Sequence, residues 1–259
     1  MPFDLNQARN FVQEADLRGI ARGVVSMDAA SEAGEVFDKA KAQAQVVGSG
    51  VFSFAQGVTA EDREAISDSA LLAQLVANKK VPSVEEAPLE WFKAYVEVLQ
   101  NVGWTMQEGG WADYAATGTG VEVHEKIIEV LTAALGPSPA TLTLITTTVN
   151  ALKAMKPESS WITLFSREVQ KARIARFQIG LVEKEESGDV FVSLLACLVE
   201  AQNSITQVLL FKFKSANASF RANGAKVSVN RAALADLGPL IQGKVRAFQR
   251  DYVSSIVDL

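Results

Sequence analysis

Apolar residues recur at helical spacing through the first two-thirds of the chain. A helix capped by Asp4 is predicted to end near Gly23, and the Thr59–Asp62 pair has the spacing of a capping box that opens another helix. A Gly-Pro-Ser-Pro turn separates two later periodic segments. The predicted helices after the first cover residues 28–46, 59–76, 89–101, 121–135 and 140–155.

Near residue 171 the period of the pattern changes from about 3.6 to 2. Strands are predicted from about 171 onwards, with Gly188 in a turn before the segment VFVSLLACLVEA. That segment is apolar at successive positions, which predicts a central strand covered on both faces. Three elements are predicted to follow: the alternating strand ITQVLLFKFK, a strand or hairpin around Asn223-Gly224, and a long helix over 231–257 interrupted by Gly238-Pro239.

These patterns together predict an α+β fold in one domain. A helix-rich region, residues 1–170, would pack on an antiparallel sheet formed by residues 171–230. Short connections favour a meander for that sheet, and residues 231–257 would form the closing helix.

Composition excludes several functional classes. The chain has one Cys and one His in 259 residues, too few for a disulfide or for the four ligands of a structural zinc site. Its formal charge is −5, with −9 over residues 1–170 and +4 over residues 171–259, and no basic cluster indicates a nucleic-acid partner. We therefore expect no metal and no nucleic acid.

The N-terminal segment contains acids at Asp4, Glu14 and Asp16 and lacks the continuous apolar stretch of a secretory signal. Two charge-free runs, residues 42–60 and 130–152, are interrupted by Gly, Pro or polar side chains and are not interpreted as membrane spans. The expected location is the cytoplasm, or outside the cell after release by a non-classical route.

His124 is the one candidate imidazole for catalysis. Glu125 or Glu129 on the same helix could raise its pKa, but no nucleophile motif accompanies it, and a surface position is the simpler interpretation. A group of aromatic residues could form a sugar platform, a membrane-interface belt or simply core: Trp91, Tyr95, Trp104, Trp111 and Tyr114.

Cys197 lies in the middle of the most apolar predicted strand. An unpaired Cys there is first of all a small buried hydrophobe. Redox and protease roles are disfavoured, because no basic neighbour is evident to lower the pKa of its thiol. The other role that suits a thiol beside apolar surface is a fatty acyl thioester. Burying a chain of about fifteen carbons would contribute about 12 kcal/mol at ~0.8 kcal/mol per CH₂.

The layout resembles that of a known family. A helical first part without a signal peptide leads to the lone Cys in FVSLLACLVEA, and amphipathic strands and a C-terminal helix follow. This resembles the Erwinia virulence factor family of bacterial insect-gut persistence proteins. The resemblance implies a palmitate thioester on Cys197. The acyl-chain neighbours it implies are Leu195, Leu198, Val199, Leu209 and Phe211.

The function implied by this resemblance is a non-enzymatic virulence factor that carries or binds a fatty acyl chain and acts at or near membranes. Covalent palmitate or a bound fatty acid would be its lipid, and no other cofactor is expected. Two alternatives stay open. One is a membrane-inserting toxin without acylation, using residues 28–76 or 121–155. The other is an enzyme using His124. Nothing in the sequence indicates an oligomeric state or a host target.

Overall fold

The computed structural model describes residues 3–20, 43–83, 85–106, 110–114, 123–135, 139–154, 164–165, 168–171, 173–202, 205 and 218–256. The helices are α1 (Leu5–Glu14), α2 (Ala60–Lys80), α3 (Pro88–Asn101), α4 (Val123–Leu135), α5 (Pro139–Ala154) and α6 (Arg231–Tyr252). The strands are β1 (Gln43–Val47), β2 (Gly50–Phe54), β3 (Trp104–Thr105), β4 (Ala112–Tyr114), β5 (Gln170–Lys171), β6 (Ile174–Lys184), β7 (Val190–Ala201), β8 (Ala218–Val229) and β9 (Val253–Ile256).

All these strands belong to one sheet, in the order β3-β8-β7-β6-β2-β1-β9, with β4 added to β8 and β5 to β6. The α+β class is confirmed, and β6, β7 and β8 pair antiparallel as expected. The predicted strand order is wrong, because β7 pairs along its whole length with β8 instead of with the next predicted segment, ITQVLLFKFK. The sheet as a whole is mixed rather than antiparallel. Strand β2 runs parallel to β6, with Val51 opposite Ile179, because a hairpin from the first part of the chain joins the C-terminal meander.

Helices cover the sheet on both sides. We call the side covered by α1, α2, α3 and α6 the four-helix face, and the side covered by α4 and α5 the two-helix face. Strand β7 contributes Val192 and Leu194 to the first and Leu195 and Cys197 to the second. The predicted central strand with apolar layers on both sides is therefore confirmed.

Two predicted helix starts are confirmed by their caps. Thr59 Oγ1 accepts from the Asp62 amide at 3.1 Å and donates to the Asp62 carboxylate at 2.8 Å, so the capping box opens α2. Asp4 caps α1, but that helix ends at Glu14 rather than near Gly23. The Asp16 carboxylate accepts from the Arg18 amide at 3.0 Å, and such a local turn competes with helical hydrogen bonding.

Several predicted boundaries are wrong. Residues 43–46 belong to strand β1 instead of the end of a helix. Ala44 and Val46 lie in the core of the two-helix face, whereas Gln45 bonds to Ser67 on the opposite face. Residues 28–42 of the predicted helix lie outside the described part of the chain. The helix-rich N-terminal region therefore also contains β1 to β4.

The C-terminal elements also differ in detail. Strand β8 continues through Asn223-Gly224 without a hairpin, because both residues pair with β7. Helix α6 continues through Pro239, and the chain then turns from Tyr252 into strand β9, which pairs with β1. Ile205 is buried, and the rest of the predicted strand ITQVLLFKFK lies outside the described residues.

Candidate functional site

Cys197 lies at the centre of the two-helix face. It occupies the middle of β7, opposite Phe177 on β6 and Ala222 on β8, and its side chain is fully buried. Burial raises the pKa of the Cys197 thiol well above its ordinary value, because the apolar surroundings disfavour the thiolate. A thiol held in this state is a poor nucleophile while the core stays closed.

The neighbours expected around an acyl chain on Cys197 divide into three groups. Leu195 and Val199 share the face of Cys197 and belong to the same core. Leu198 was expected beside the sulfur, but strand alternation places it on the opposite side of the sheet. Leu209 and Phe211 lie outside the described residues.

The layer that covers Cys197 is mainly apolar. Phe165 packs against Phe177 with ring centroids 6.1 Å apart. One polar link between α5 and the sheet is the Ser53 hydroxyl, which donates to Thr148 Oγ1 at 2.8 Å. The other buried apolar side chains of this layer are Val123, Ile127, Val130, Leu131, Ile145, Val149, Leu164 and Val169. Lys126 on α4 is also buried and pairs with Glu129 at 2.7 Å. Hydrophobic contact therefore dominates the attachment of this layer.

Three cavities in the described part of the molecule lie on the other side of the sheet. Two, of about 320 and 270 Å³, are lined from α2 and α6, and a third of about 450 Å³ lies under α3. Cys197 lines none of these three. Protein cores are close-packed, so a long acyl chain on its sulfur would displace side chains of the covering layer.

The four-helix face is attached differently, through charged and polar contacts. Arg231 Nε donates to Asp62 at 2.7 Å, and Gln249 Nε2 donates to Asp68 at 2.7 Å, so α6 is bonded to α2 at both ends. Arg9 on α1 pairs with Asp236 on α6 at 2.6 Å. Directional bonds therefore supplement the apolar contacts of this face.

The carboxylates of Asp62 and Asp68, both on α2, have opposite pKa shifts. Burial alone would raise the pKa of Asp62, but hydrogen bonds from Arg231 and Thr59 and the nearby charge of Lys184 hold it below its ordinary value. Burial raises the pKa of Asp68 to about 6, against the hydrogen bond from Gln249 and with help from the charge of Glu64.

The other candidates considered from the sequence are catalysis by His124, a metal site and membrane-spanning helices. His124 is the second residue of α4, and its side chain lies outside the described part of the molecule. Within the described residues, no group of three or more His, Cys, Asp or Glu could hold a metal ion. No helix there combines the length and the apolar character needed to cross a membrane.

The aromatic group belongs mainly to the core of the four-helix face. Trp91, Tyr95 and Trp104 are buried, and Trp91 stacks on Tyr95 with ring centroids 5.3 Å apart. Trp111 is half-buried against Phe92. The core interpretation therefore fits the buried members better than a sugar platform does.

Sequence reasoning missed a buried polar cluster on this face. Arg176 and Gln178 alternate with apolar residues on β6, and both are buried. In the sequence, Arg176 and Gln178 are two positions apart, a spacing that places both on the same side of a strand. The contacts that bury them come from distant segments: Arg176 donates to Ser49 and Asn78 at 3.1 and 3.0 Å.

Comparison with known proteins gives limited similarity. No known family profile matches the chain, and no curated protein matches it. A delta-endotoxin structure is 15% identical, with a TM-score of 0.40, and the match covers 70% of this chain and 79% of that one. The structure of the Evf virulence factor is 14% identical, with a TM-score of 0.34 over 90% and 91% of the two chains.

A third similar structure is the activated Cyt2Ba monomer from Bacillus thuringiensis subsp. israelensis. It is 13% identical, with a TM-score of 0.28 over 53% of this chain and 79% of that one. The Evf structure is thus among the similar structures, but similarities this low do not place the chain in a family.

Proposed function

We propose that this protein is a non-enzymatic virulence or toxin-like factor that acts at membranes by opening its two-helix face to lipid. In this proposal α4 and α5 move away from the sheet, and the layer around Cys197 contacts acyl chains. The supporting observation is the contrast in attachment. Among the described residues, the contacts that cover this face are mainly apolar, whereas ion pairs and hydrogen bonds cross between the helices of the four-helix face.

In the proposal, lipid weakens the apolar contacts of the two-helix face but not the ion pairs of the four-helix face. In water, separating two apolar surfaces costs about 25 cal/mol per Å² exposed. Lipid tails are themselves apolar, so this cost largely disappears when both surfaces meet acyl chains. An ion pair such as Arg231–Asp62 has no comparable substitute in hydrocarbon. A membrane therefore favours opening of the two-helix face in particular.

The helices of that face suit shallow insertion. Lys153 is the one charged residue in the α5 sequence, and α5 has 16 residues. At 1.5 Å per residue it is about 24 Å long, shorter than the ~30 Å hydrocarbon core of a bilayer. We therefore infer that α4 and α5 lie in the membrane interface with their apolar sides in the acyl region.

Cys197 reports on this opening because it is the single cysteine of the chain. The test measures its alkylation by a maleimide in buffer and with anionic phosphatidylglycerol vesicles, alongside dye release from those vesicles. We expect slow alkylation in buffer and at least a tenfold faster reaction with vesicles. Unchanged alkylation together with intact vesicles contradicts the proposal.

A matched reporter separates local opening from general unfolding. Ala73 on α2 is fully buried in the four-helix core, and Ala73→Cys in a Cys197→Ala background places the sole thiol there. Vesicles should leave the alkylation rate of this variant unchanged. Equal acceleration at both positions would mean that the whole protein unfolds on the membrane, and the proposal would be wrong.

An acyl thioester on Cys197 is the second candidate, and the observation in its favour is the buried apolar cluster to which Cys197 belongs. The thiol would attack the carbonyl of an acyl thioester donor. A new S–C bond would form, the donor thiolate would leave, and the thiol proton would pass to it. Because the closed core disfavours the thiolate, we infer that acylation occurs when the two-helix face is open.

Intact-protein mass spectrometry tests this candidate on protein from its native cells. We expect the mass increment of one long acyl chain, its loss after hydroxylamine, and its absence from Cys197→Ser. An unmodified mass in native protein contradicts acylation, and it leaves the alkylation experiment as the independent test of opening.

A further inference from the structure

The space between α2 and α6 has the size of a small-molecule site. One cavity there has a volume of about 320 Å³, within the range of roughly 300–1,000 Å³ common for ligand pockets. The second cavity, of about 270 Å³, shares Glu61, Ala65, Leu234 and Ala235 with the first, so the two adjoin. We call the two cavities together the α2–α6 groove.

The groove has apolar walls and one negatively charged end. Glu61, Glu64 and Asp68 line the first cavity, and no Lys or Arg of the described residues does. Arg231 lines the second cavity, where it is paired with Asp62 at 2.7 Å. The apolar side chains that line the groove are Ala65, Ile66, Val190, Val229, Leu234 and Ile241.

The Asp68 carboxylate is buried, but one of its oxygens is open. The residue is 5% exposed, and its Oδ1 accepts from Gln249 Nε2 at 2.7 Å. Its Oδ2 accepts from no described residue. Oδ2 is also not one of the unpaired polar atoms that the described structure seals from solvent, which are the Tyr95 hydroxyl and Gln178 Nε2. Because Asp68 lines the first cavity, this open oxygen faces the groove.

A backbone carbonyl on the other side of the first cavity lacks its usual donor. Pro239 lies inside α6 and has no N–H, so the carbonyl of Ala235, four residues earlier, has no helical hydrogen bond from it. Ala235 and Pro239 both line this cavity. Helices α2 and α6 therefore each contribute an acceptor without a donor.

These acceptors favour a positively charged donor as the occupant. An ammonium group has three N–H donors and no acceptor, and hydrogen bonds to an ionised carboxylate are about twice as strong as neutral ones. A metal ion fits less well, because no three carboxylates of the described residues are placed to hold one. The apolar walls favour an apolar body on the cation.

We propose that the α2–α6 groove binds a compact organic ammonium ion, an aromatic ring or short chain that carries one protonated amine. The ammonium donates to Asp68 Oδ2 and to the Ala235 carbonyl, with Glu61 and Glu64 at the rim. The apolar body lies along Leu234 towards the second cavity. The site uses no residue of the two-helix face, so it does not depend on the proposed membrane function.

Binding should depend on pH through Asp68. Burial raises the pKa of Asp68 to about 6, against the hydrogen bond from Gln249 and with help from the charge of Glu64. Strands β1 and β2 contain no ionisable residue. The described ionisable side chains of the helices packed on α2, none of which forms an ion pair with Asp68, are Glu90, Lys93, Tyr95 and Glu97 on α3 and Arg231, Asp236, Lys244, Arg246 and Tyr252 on α6. Affinity for the ammonium should therefore rise about tenfold from pH 5 to pH 7, as Asp68 ionises.

A pair of ligands tests the proposal on the unmodified protein. 2-Phenylethylammonium and the neutral 2-phenylethanol share the same ring and differ in the amine. Calorimetric titration at pH 7 should give at least tenfold tighter binding of the ammonium, and this preference should shrink about tenfold at pH 5. Equal affinities at pH 7, or no binding of either ligand up to millimolar concentration, overturn the proposal.

Asp68→Asn tests the carboxylate. It should weaken the ammonium about tenfold at pH 7, leave the affinity of the alcohol unchanged and remove the pH dependence. Its urea midpoint should be no lower than that of the parent, because the variant buries no charge. Ammonium affinity or pH dependence that survives Asp68→Asn means that another group binds the cation, and the proposal is then wrong.

A matched pair of α6 variants locates the binding. Ala235 and Ala247 are both exposed on α6, but only Ala235 lines the groove. Ala235→Leu should weaken the ammonium at least tenfold, whereas Ala247→Leu should leave its affinity unchanged. Affinity that survives Ala235→Leu, or that falls equally in both variants, places the ligand outside the groove and overturns the proposal.

Discussion

The two faces of the sheet share the same strands but are attached to their helices by different forces. On the four-helix face, α2 bonds to the sheet through Asp62, which pairs with Lys184 on β6, and through Gln74, which donates to the Val47 carbonyl at 2.7 Å. On the two-helix face, a hydroxyl pair links α5 to the sheet within a mainly apolar layer. In water both attachments keep the core closed. Under the proposed function, this difference means that the solvent, more than the strength of packing, decides which face opens.

Two carboxylates of the four-helix face respond to pH in opposite ways. The raised pKa of Asp68 means that its protonated form is favoured in the folded state, so folding gains stability from this group as pH falls below about 6. The lowered pKa of Asp62 gives stability that is present above the ordinary carboxyl range and is lost as pH falls through that range. Mild acid therefore relieves the cost of burying the Asp68 charge, before stronger acid removes the contribution of Asp62.

The largest expected effect comes from truncating the cover of Cys197. Ile127 on α4 is fully buried in the two-helix core, and Ile127→Ala should lower the free energy of unfolding by about 3 kcal/mol through lost burial and a new cavity. Urea unfolding measures this loss. If local opening breaks the same contacts, alkylation of Cys197 in buffer should accelerate by about a hundredfold.

Asp62→Ala, the matched change on the four-helix face, should lower the free energy of unfolding without opening the two-helix face. Asp62→Ala removes the partner of Arg231 and Lys184, and we expect a loss of about 2 kcal/mol in urea unfolding. Because that contact is remote from α4 and α5, the alkylation rate of Cys197 should stay close to that of the parent. If Asp62→Ala accelerates alkylation as much as Ile127→Ala does, the two faces open as one unit and the comparison fails.

A smaller effect of opposite sign is expected for Asp68→Asn. The amide keeps an oxygen that can accept from Gln249 but carries no buried charge. At pH 7 the variant should therefore be more stable by about 1 kcal/mol, after allowance for solvent screening. The gain should vanish near pH 4, where the parent carboxyl is protonated. Unfolding curves across pH 4–7 measure this convergence, and a gain that is constant with pH would show that charge burial is not its cause.

Local signals predicted the elements whose stabilising groups are near in sequence. The Thr59–Asp62 capping box and the turn with Gly188, whose φ is +91°, depend on residues within a few positions of each other. The β1–β2 hairpin could not be predicted in this way. Its polar residues Gln45 and Ser53 point into the core, and their partners lie on α2 and α5.

The candidate site was likewise predictable only where it depended on the local sequence pattern. The burial of Cys197 followed from apolar residues on both faces of its strand. Leu198 was assigned wrongly, because adjacent residues of a strand point to opposite sides of a sheet. The burial of Arg176 and Gln178 was missed, since polar residues on one side of a strand ordinarily indicate solvent, and here α2 and α3 cover them.

The smallest expected effect tests whether the hydroxyl pair contributes to closing the two-helix face. Ser53→Ala with Thr148→Val replaces both partners by apolar groups of similar size and should change the free energy of unfolding by less than about 0.5 kcal/mol. The alkylation rate of Cys197 should likewise stay near that of the parent, because the apolar layer is intact. A loss above about 1.5 kcal/mol, or a tenfold faster alkylation, would mean that a directional bond holds this face, and the contrast between the two faces would then disappear.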